Sequence, residues 1–107
     1  MTDFIMIYRG PEWDMKNVSE ADMNKSREQW ESWMKTLGEN MVEFGAPTAN
    51  GVSIFDNGSN SPASDIRGYS IIKAENIDKA KELLKGHPHL NGNEGKYSIE
   101  LFELTPM

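Results

Sequence analysis

The chain has no cysteine in its 107 residues. Disulfides, thiolate nucleophiles and cysteine-held metals are therefore excluded. Basic residues are also scarce, eleven Lys and Arg against seventeen Asp and Glu, for a net charge of −6. Neither half is basic: five stand against nine in residues 1–50, and six against eight in 51–107. Nucleic-acid binding depends on Lys and Arg neutralising phosphates, so no nucleic-acid partner is expected, and an anionic membrane surface is disfavoured likewise. Long apolar runs are missing too, and nothing approaches the roughly 18 residues that span a bilayer. The first nine residues have neither the charged n-region nor the apolar h-region of a signal peptide. A cytoplasmic protein is the expectation. No Ser–His–Asp order, phosphate-binding glycine loop, HExxH or EF-hand loop occurs, so no cofactor and no metal are expected.

What is present suits one globular domain over residues 1–107, at 37% hydrophobic and 26% charged. A domain this small leaves much surface exposed, and dimerisation is a natural way to bury more. Phe4 to Tyr8 is almost continuously apolar, as in a strand covered on both faces. Residues 10–18 contain a Gly-Pro break and read as a loop. Ser19 then looks like an N-cap, with Glu20 and Asp22 in the first turn, where the helix dipole favours anions. At helical spacing, Met23, Trp30, Met34, Leu37 and Met41 form one apolar stripe, with Trp33 to one side. Gly38 can end this helix, or it can run on to about Val42, because Met41 keeps the phase.

Phe44-Gly45-Ala46-Pro47 reads as a break in regular structure and Val52 to Phe55 as a short strand. Residues 56–65 are polar and turn-rich, a loop between strands. Ile66 to Ala74 is the next strand, Asn76 caps a second helix, and Gly86 and Pro88 stop it. Residues 91–95 form a turn, and Tyr97 to Leu104 is the last strand. The predicted order is β-α-β-β-α-β, a ferredoxin-like α+β fold. It would have a four-stranded antiparallel sheet with two helices on one face. The helix-free face, with Tyr69, Ile71, Ile7 and Phe102 as candidates to line it, would be covered by a second copy.

Several segments carry a likeness to a known family: Trp30-Glu-Ser-Trp33-Met34, Leu37-Gly38, Phe44-Gly45-Ala46-Pro47, Gly68-Tyr69-Ser70-Ile71, Gly86-His87-Pro88-His89-Leu90 and Ser98-Ile99-Glu100-Leu101. In order and spacing, the chain resembles the YCII-related (YciI-like) family of dimeric α/β-barrel proteins. The resemblance implies a homodimer formed through the sheet face and a pocket between sheet and helices. It also implies that lyase-type chemistry with a His–Asp pair occurs among some relatives, and His89 matches the histidine of the family's Pro-His-Leu segment. The Asp-Gly-Pro-Phe motif of the larger branch is missing here. Asp56-Asn57-Gly58 stands near its place.

The only two histidines lie two residues apart, and histidine is the side chain best matched to proton transfer near neutral pH. Asp65, at the entry to the central strand, is a carboxylate that could orient an imidazole. The plainer explanation is that a loop after a helix C-terminus carries histidine because the dipole favours a cation there. As a metal pair, His87 and His89 would need a third ligand, for which Asp65 and Glu43 are only guesses. Trp30, Trp33 and the methionines suit a core helix face, and Trp33, off the stripe, is the better pocket candidate. Tyr69 could hydrogen-bond a ligand or simply pack across the dimer interface. Two functions are compatible with this pattern. The first is a cofactor-independent lyase or isomerase acting on a small compound, with aromatic ones among the candidates. There His89 is the acid/base, Asp65 its orienter or a second base, and His87, Tyr69 and Trp33 contact the ligand. The second is a non-catalytic dimer that binds a small ligand or a partner protein, its histidines merely on the surface.

Overall fold

The computed structural model describes residues 1–11, 19–90, 92 and 94–106. The expected loop at 10–18 therefore lies mostly outside the described residues, as does part of the expected turn at 91–95. Four strands form an antiparallel sheet: β1 (Thr2–Arg9), β2 (Met41–Pro47), β5 (Ile66–Ala74) and β6 (Ser98–Glu103), in the order β2-β5-β1-β6. A separate hairpin, β3 (Val52–Ile54) with β4 (Asn60–Pro62), interrupts the chain between β2 and β5. Helices α1 (Glu20–Leu37) and α2 (Ile77–Leu83) complete an α+β fold compatible with a ferredoxin-like one.

Helix α1 begins where its sequence signal stands. The Ser19 hydroxyl accepts from the Asp22 amide at 3.1 Å, an N-cap worth about 1 kcal/mol. Asn76 caps α2 in the same way, accepting from the Lys79 amide at 2.9 Å. Of the two expected ends for α1, the structure takes Gly38, at φ +53° with its amide bonded to the Met34 carbonyl. Met41 keeps the apolar phase for another reason: it sits in β2 opposite the buried Ile72.

The expected break at Phe44–Pro47 is instead part of β2, and it carries a bulge. Pairing with β5 shifts register between Glu43 and Ala46, and Gly45 sits there at φ +81°. A Cβ at Gly45 would come within 1.9 Å of the Tyr69 carbonyl oxygen. Only glycine tolerates both that dihedral and that approach. Val52–Ile54, expected as a strand between the helices, pairs with Asn60–Pro62 outside the main sheet. Part of the expected 56–65 loop is thereby a strand.

Alternation along the central strands makes two faces. Phe4, Met6 and Tyr8 of β1 and Ile72 and Ala74 of β5 are buried in one cluster with Trp33 and Leu37 of α1 and Ala80 of α2. Ile5, Ile7, Tyr69 and Ile71 take the other face and stay half-buried, while Phe102 is 51% exposed. No helix among the described residues is long and apolar enough to cross a membrane.

Candidate functional site

The helix-covered side of the sheet contains a cavity of about 760 Å³. Its floor is the end of the sheet where small side chains stand: Gly68 and Ser70 of β5, and Ala46 and Pro47 of β2. A Cβ at Gly68 would lie 3.0 Å from the Ala46 carbonyl oxygen and 3.2 Å from the Pro47 Cα, so β2 would have to give by a few tenths of an ångström to admit a side chain. The roof is the first half of α1, where Met23, Ser26, Arg27 and Trp30 recur at i, i+3, i+4 and i+7 and so share one side of the helix. Phe44, Tyr8, His89 and Tyr97 supply aromatic walls. Trp30 meets Tyr8 edge-on at 5.4 Å and Phe44 at 6.2 Å between ring centroids. Apolar walls with a few convergent polar groups are the usual make-up of small-molecule sites.

His89 comes from a 3-10 turn after α2, Pro88–Leu90, and His87 directly precedes that turn; both are buried. His87 is completely enclosed, with its ring 4.1 Å from Trp33 and 4.8 Å from Trp30 between centroids. The expectation of a ligand-contacting His87 is not met by its placement, because His87 lies behind the cavity wall, under the aromatic layer. Its Nδ1 accepts from the His89 amide at 3.0 Å, so the proton of the neutral ring resides on Nε2. Nε2 then donates to the Tyr8 hydroxyl at 3.3 Å. Tyr8 donates to Ser70 Oγ at 2.7 Å, because Ser70 gives its own proton to the Phe44 carbonyl at 2.6 Å. Burial pushes His87 down to about 3, with His89 adding to the shift, and it raises Tyr8 to about 12 against the smaller opposing effect of the Ser70 bond. At neutral pH this chain is uncharged from end to end.

His89 is only 6% exposed but borders the cavity. Its Nε2 lies 2.9 Å from the backbone carbonyl of Arg9, which can only accept, so this nitrogen carries a proton. The ring packs on Tyr8 at 5.2 Å and Tyr97 at 5.3 Å. Thus the expected orienting carboxylate has a backbone counterpart.

Asp65 is placed differently from its expected role. Its Oδ1 accepts from Arg9 Nη2 at 2.6 Å and Nε at 2.9 Å, while Arg9 Nη1 reaches Glu100 at 3.1 Å. The hydrogen bond from Arg9 holds the Asp65 carboxyl below its usual range, and the guanidinium is stabilised in turn. Alternation puts the Arg9 side chain on the helix-free face beside Glu100, whereas His89 packs on the helix-covered one. Arg9 therefore separates the two groups expected to pair: its carbonyl binds His89 and its guanidinium binds Asp65.

Tyr69 is among the residues bordering the cavity, and its hydroxyl donates to Glu43 at 3.1 Å, a bond that raises its titration point. Trp33, expected in the pocket, is 5% exposed and donates its indole N–H to the Leu83 carbonyl at 3.2 Å. Trp30, placed by spacing in the core stripe, packs against the core and also lines the cavity. Both ring nitrogens of His87 and Nε2 of His89 bond within the fold, and no cluster of three metal-ligating side chains occurs among the described residues. The residues that sequence reasoning missed are Tyr8, Ser70, Arg27 and Arg67. Only the inward parity of Tyr8 with Phe4 and Met6 was a usable signal. No known family profile matches the chain, and no curated protein is significantly similar to it.

Proposed function

We propose that this chain is a small-molecule-binding domain, and that the ligand is a compact organic compound with an aromatic or largely apolar body. The observation that carries this reading is the cavity of about 760 Å³ walled by Trp30, Phe44, Tyr8 and Tyr97. Such a volume falls within the range of ordinary ligand sites, roughly 300–1,000 Å³. The likeness to the YCII-related family supports the same reading and brings with it the dimeric barrel. If the β3–β4 hairpin is counted as an insertion, the remaining elements follow the order β-α-β-β-α-β. The half-buried Ile5, Ile7 and Ile71 on the helix-free face support a homodimer with the two sheets face to face. The net charge of −6 argues against nucleic acid as a partner and is compatible with a cytoplasmic, soluble life.

Ligand-observed NMR with a panel of bicyclic aromatic compounds tests the binding. Several members should bind, and Trp30→Ala should abolish it. If no compound binds, or if binding survives that substitution, the reading fails. Sedimentation equilibrium tests the dimer: the wild-type chain should sediment as a dimer and Ile71→Lys as a monomer.

One observation favours a second reading, in which the bound molecule is also transformed by proton transfer. His89 is fixed by the Arg9 carbonyl at the cavity wall, and in the neutral ring this makes Nδ1 the basic nitrogen. Elimination or isomerisation of a bound compound would then depend on His89, with no role for Asp65. A turnover assay on the compounds that bind separates the two readings. His89→Gln should abolish turnover while Asp65→Asn leaves it intact; binding without turnover leaves the first reading alone.

A further inference from the structure

The β3–β4 hairpin is the outer end of a longer one. Strands β2 and β5 pair as far as Pro47 with Gly68, and the Thr48 amide then donates to the Arg67 carbonyl at 3.0 Å. Pairing resumes at Val52 with Pro62, so a two-stranded arm leaves the main sheet. Its tip is firmly built. The Phe55 amide donates to the Ser59 carbonyl at 2.8 Å and the Gly58 amide to the Phe55 carbonyl at 2.9 Å. Gly58 takes φ +87°, and Asn57 Oδ1 accepts from the Ser59 amide at 2.9 Å. A left-handed glycine closing such a turn is a common hairpin solution.

This arm is inside out. A hairpin with one wet face turns its apolar side chains inward and its polar ones outward. Here Val52 and Ile54 are 59% and 77% exposed and Phe55 is half-exposed, while Ser53 and Ser61, opposite each other on the other face, are half-buried. Exposed edge strands are ordinarily protected by charge, lysine above all. Among the described residues β3 and β4 pair only with each other, yet Asp56 is the only charged side chain between residues 48 and 64 of a chain that is 26% charged.

Resting on the reading that two copies meet through their helix-free faces, we infer that the arm of each copy lies on the helix-free face of the other, with Val52, Ile54 and Phe55 against it. The register shows what that face offers. Ile71, Ile5 and Phe102 form one cross-strand row and Tyr69 stands beside Ile7 in the next, with Glu43 and Glu100 closing the rows. Alternation gives the face about half of the strand residues, roughly fifteen, whereas a standard interface takes about 20–30 a side. The arm makes up that shortfall. Charge points to a second copy as the occupant. Each copy carries −6, so two copies repel wherever carboxylates meet, and the nearly uncharged arm avoids that penalty. A foreign partner is selected by complementary charge, which a lone aspartate hardly offers; a second copy needs only an apolar match, and the chain carries one. Exchange of identical arms about a two-fold axis also closes the assembly at a dimer.

Because the chain has no cysteine, Ile54→Cys provides a single attachment point for a benzophenone photo-cross-linker at an exposed position. Illumination of ¹⁵N-labelled and unlabelled protein, mixed and equilibrated, should give covalent dimers of mixed label, attached at β1, β5 or β6 of the other copy. In sedimentation equilibrium, Ile54→Lys should weaken the dimer at least about tenfold and leave the far-UV circular dichroism unchanged. A dimer of wild-type strength in Ile54→Lys would overturn the docking of the arm and leave the sheet-face dimer standing. Cross-links confined to one chain, or attached to the helices of either copy, would do the same. A wild-type chain that sediments as a monomer would overturn both.

Discussion

At its C-terminal end, α1 closes Trp33 and Leu37 against Phe4, Met6 and Ile72, and the layer between helices and sheet is solid. Toward its N-terminal end, the same helix holds Met23, Arg27 and Trp30 over Gly68 and Ser70, and the layer is hollow. Backbone architecture is shared by the two ends, so the difference lies in side-chain size. Ile72 fills its place on β5, whereas Ser70 and Gly68 leave theirs empty, and β2 passes close enough to Gly68 that a Cβ would be crowded. Protein interiors are otherwise packed to crystal-like density. A hollow bounded by aromatic rings is therefore a designed departure, maintained by the close approach of two strands.

The contrast can be broken by measurement, starting at the solid end. Ile72→Ala should destabilise the fold by about 3–4 kcal/mol in urea denaturation, since it empties a fully buried site. Trp30→Ala, at the hollow end, should cost less than about half of that for all its greater size, because its ring already faces a cavity. Equal costs would mean that the two ends are equally packed, and the contrast would be gone.

The buried His87 gives the next largest effect. Its folded value of about 3 lies below the 6.5 of an exposed imidazole, so between these limits the unfolded chain binds the proton and the folded chain does not. Stability is complete above the unfolded value and falls as pH drops, by about 3 kcal/mol at pH 4. Urea midpoints measured from pH 7 to pH 4 should show this slope, and His87→Gln should flatten it. A wild-type midpoint independent of pH would show that His87 is solvated.

Tyr8→Phe comes third. It keeps the ring and deletes the hydroxyl between His87 and Ser70, leaving a buried donor unpaired, at a cost of about 1–3 kcal/mol. Asp65→Asn should do least. Its carboxylate binds Arg9 in solvent on the opposite face of the sheet, so thermal unfolding and ligand affinity should both stay at wild-type values. An Asp65 substitution that weakened binding would join the two faces that the contrast keeps apart.

How much of this was legible in the sequence depends on whether the signal was local. The caps Ser19 and Asn76 and the apolar run from Phe4 to Tyr8 are properties of adjacent residues, and they placed both helix starts and the first strand, while the end of α1 stood open between Gly38 and Val42. Strand β2 was not legible in the same way. Its Gly-Ala-Pro composition reads as a break until the partner strand is present, because Gly45 is explained by the Tyr69 carbonyl across the sheet. The hairpin of Val52–Ile54 was likewise half visible, since a strand signal does not name its partner. The site was read at its histidines and misread around them. Spacing placed both tryptophans on one helix, but only the side chains facing them across the sheet decide that Trp33 is enclosed and that Trp30 borders the cavity. Asp65 was a reasonable partner for His89 by sequence, and Arg9 intervenes from another strand.

The hydrogen-bonded series from the His89 amide through His87, Tyr8 and Ser70 to the Phe44 carbonyl has a direction. A backbone amide cannot give up its proton and a backbone carbonyl cannot supply one, so both terminals are fixed. Every proton between them then has a single allowed position, and the reversed ordering does not exist. The series resembles a proton wire but is blocked at both ends, so it cannot relay a charge by successive hops. It works instead as a rigid tie between the turn after α2 and the bulged strand β2, holding two parts of the cavity wall at a set separation whether or not anything fills the space beside them.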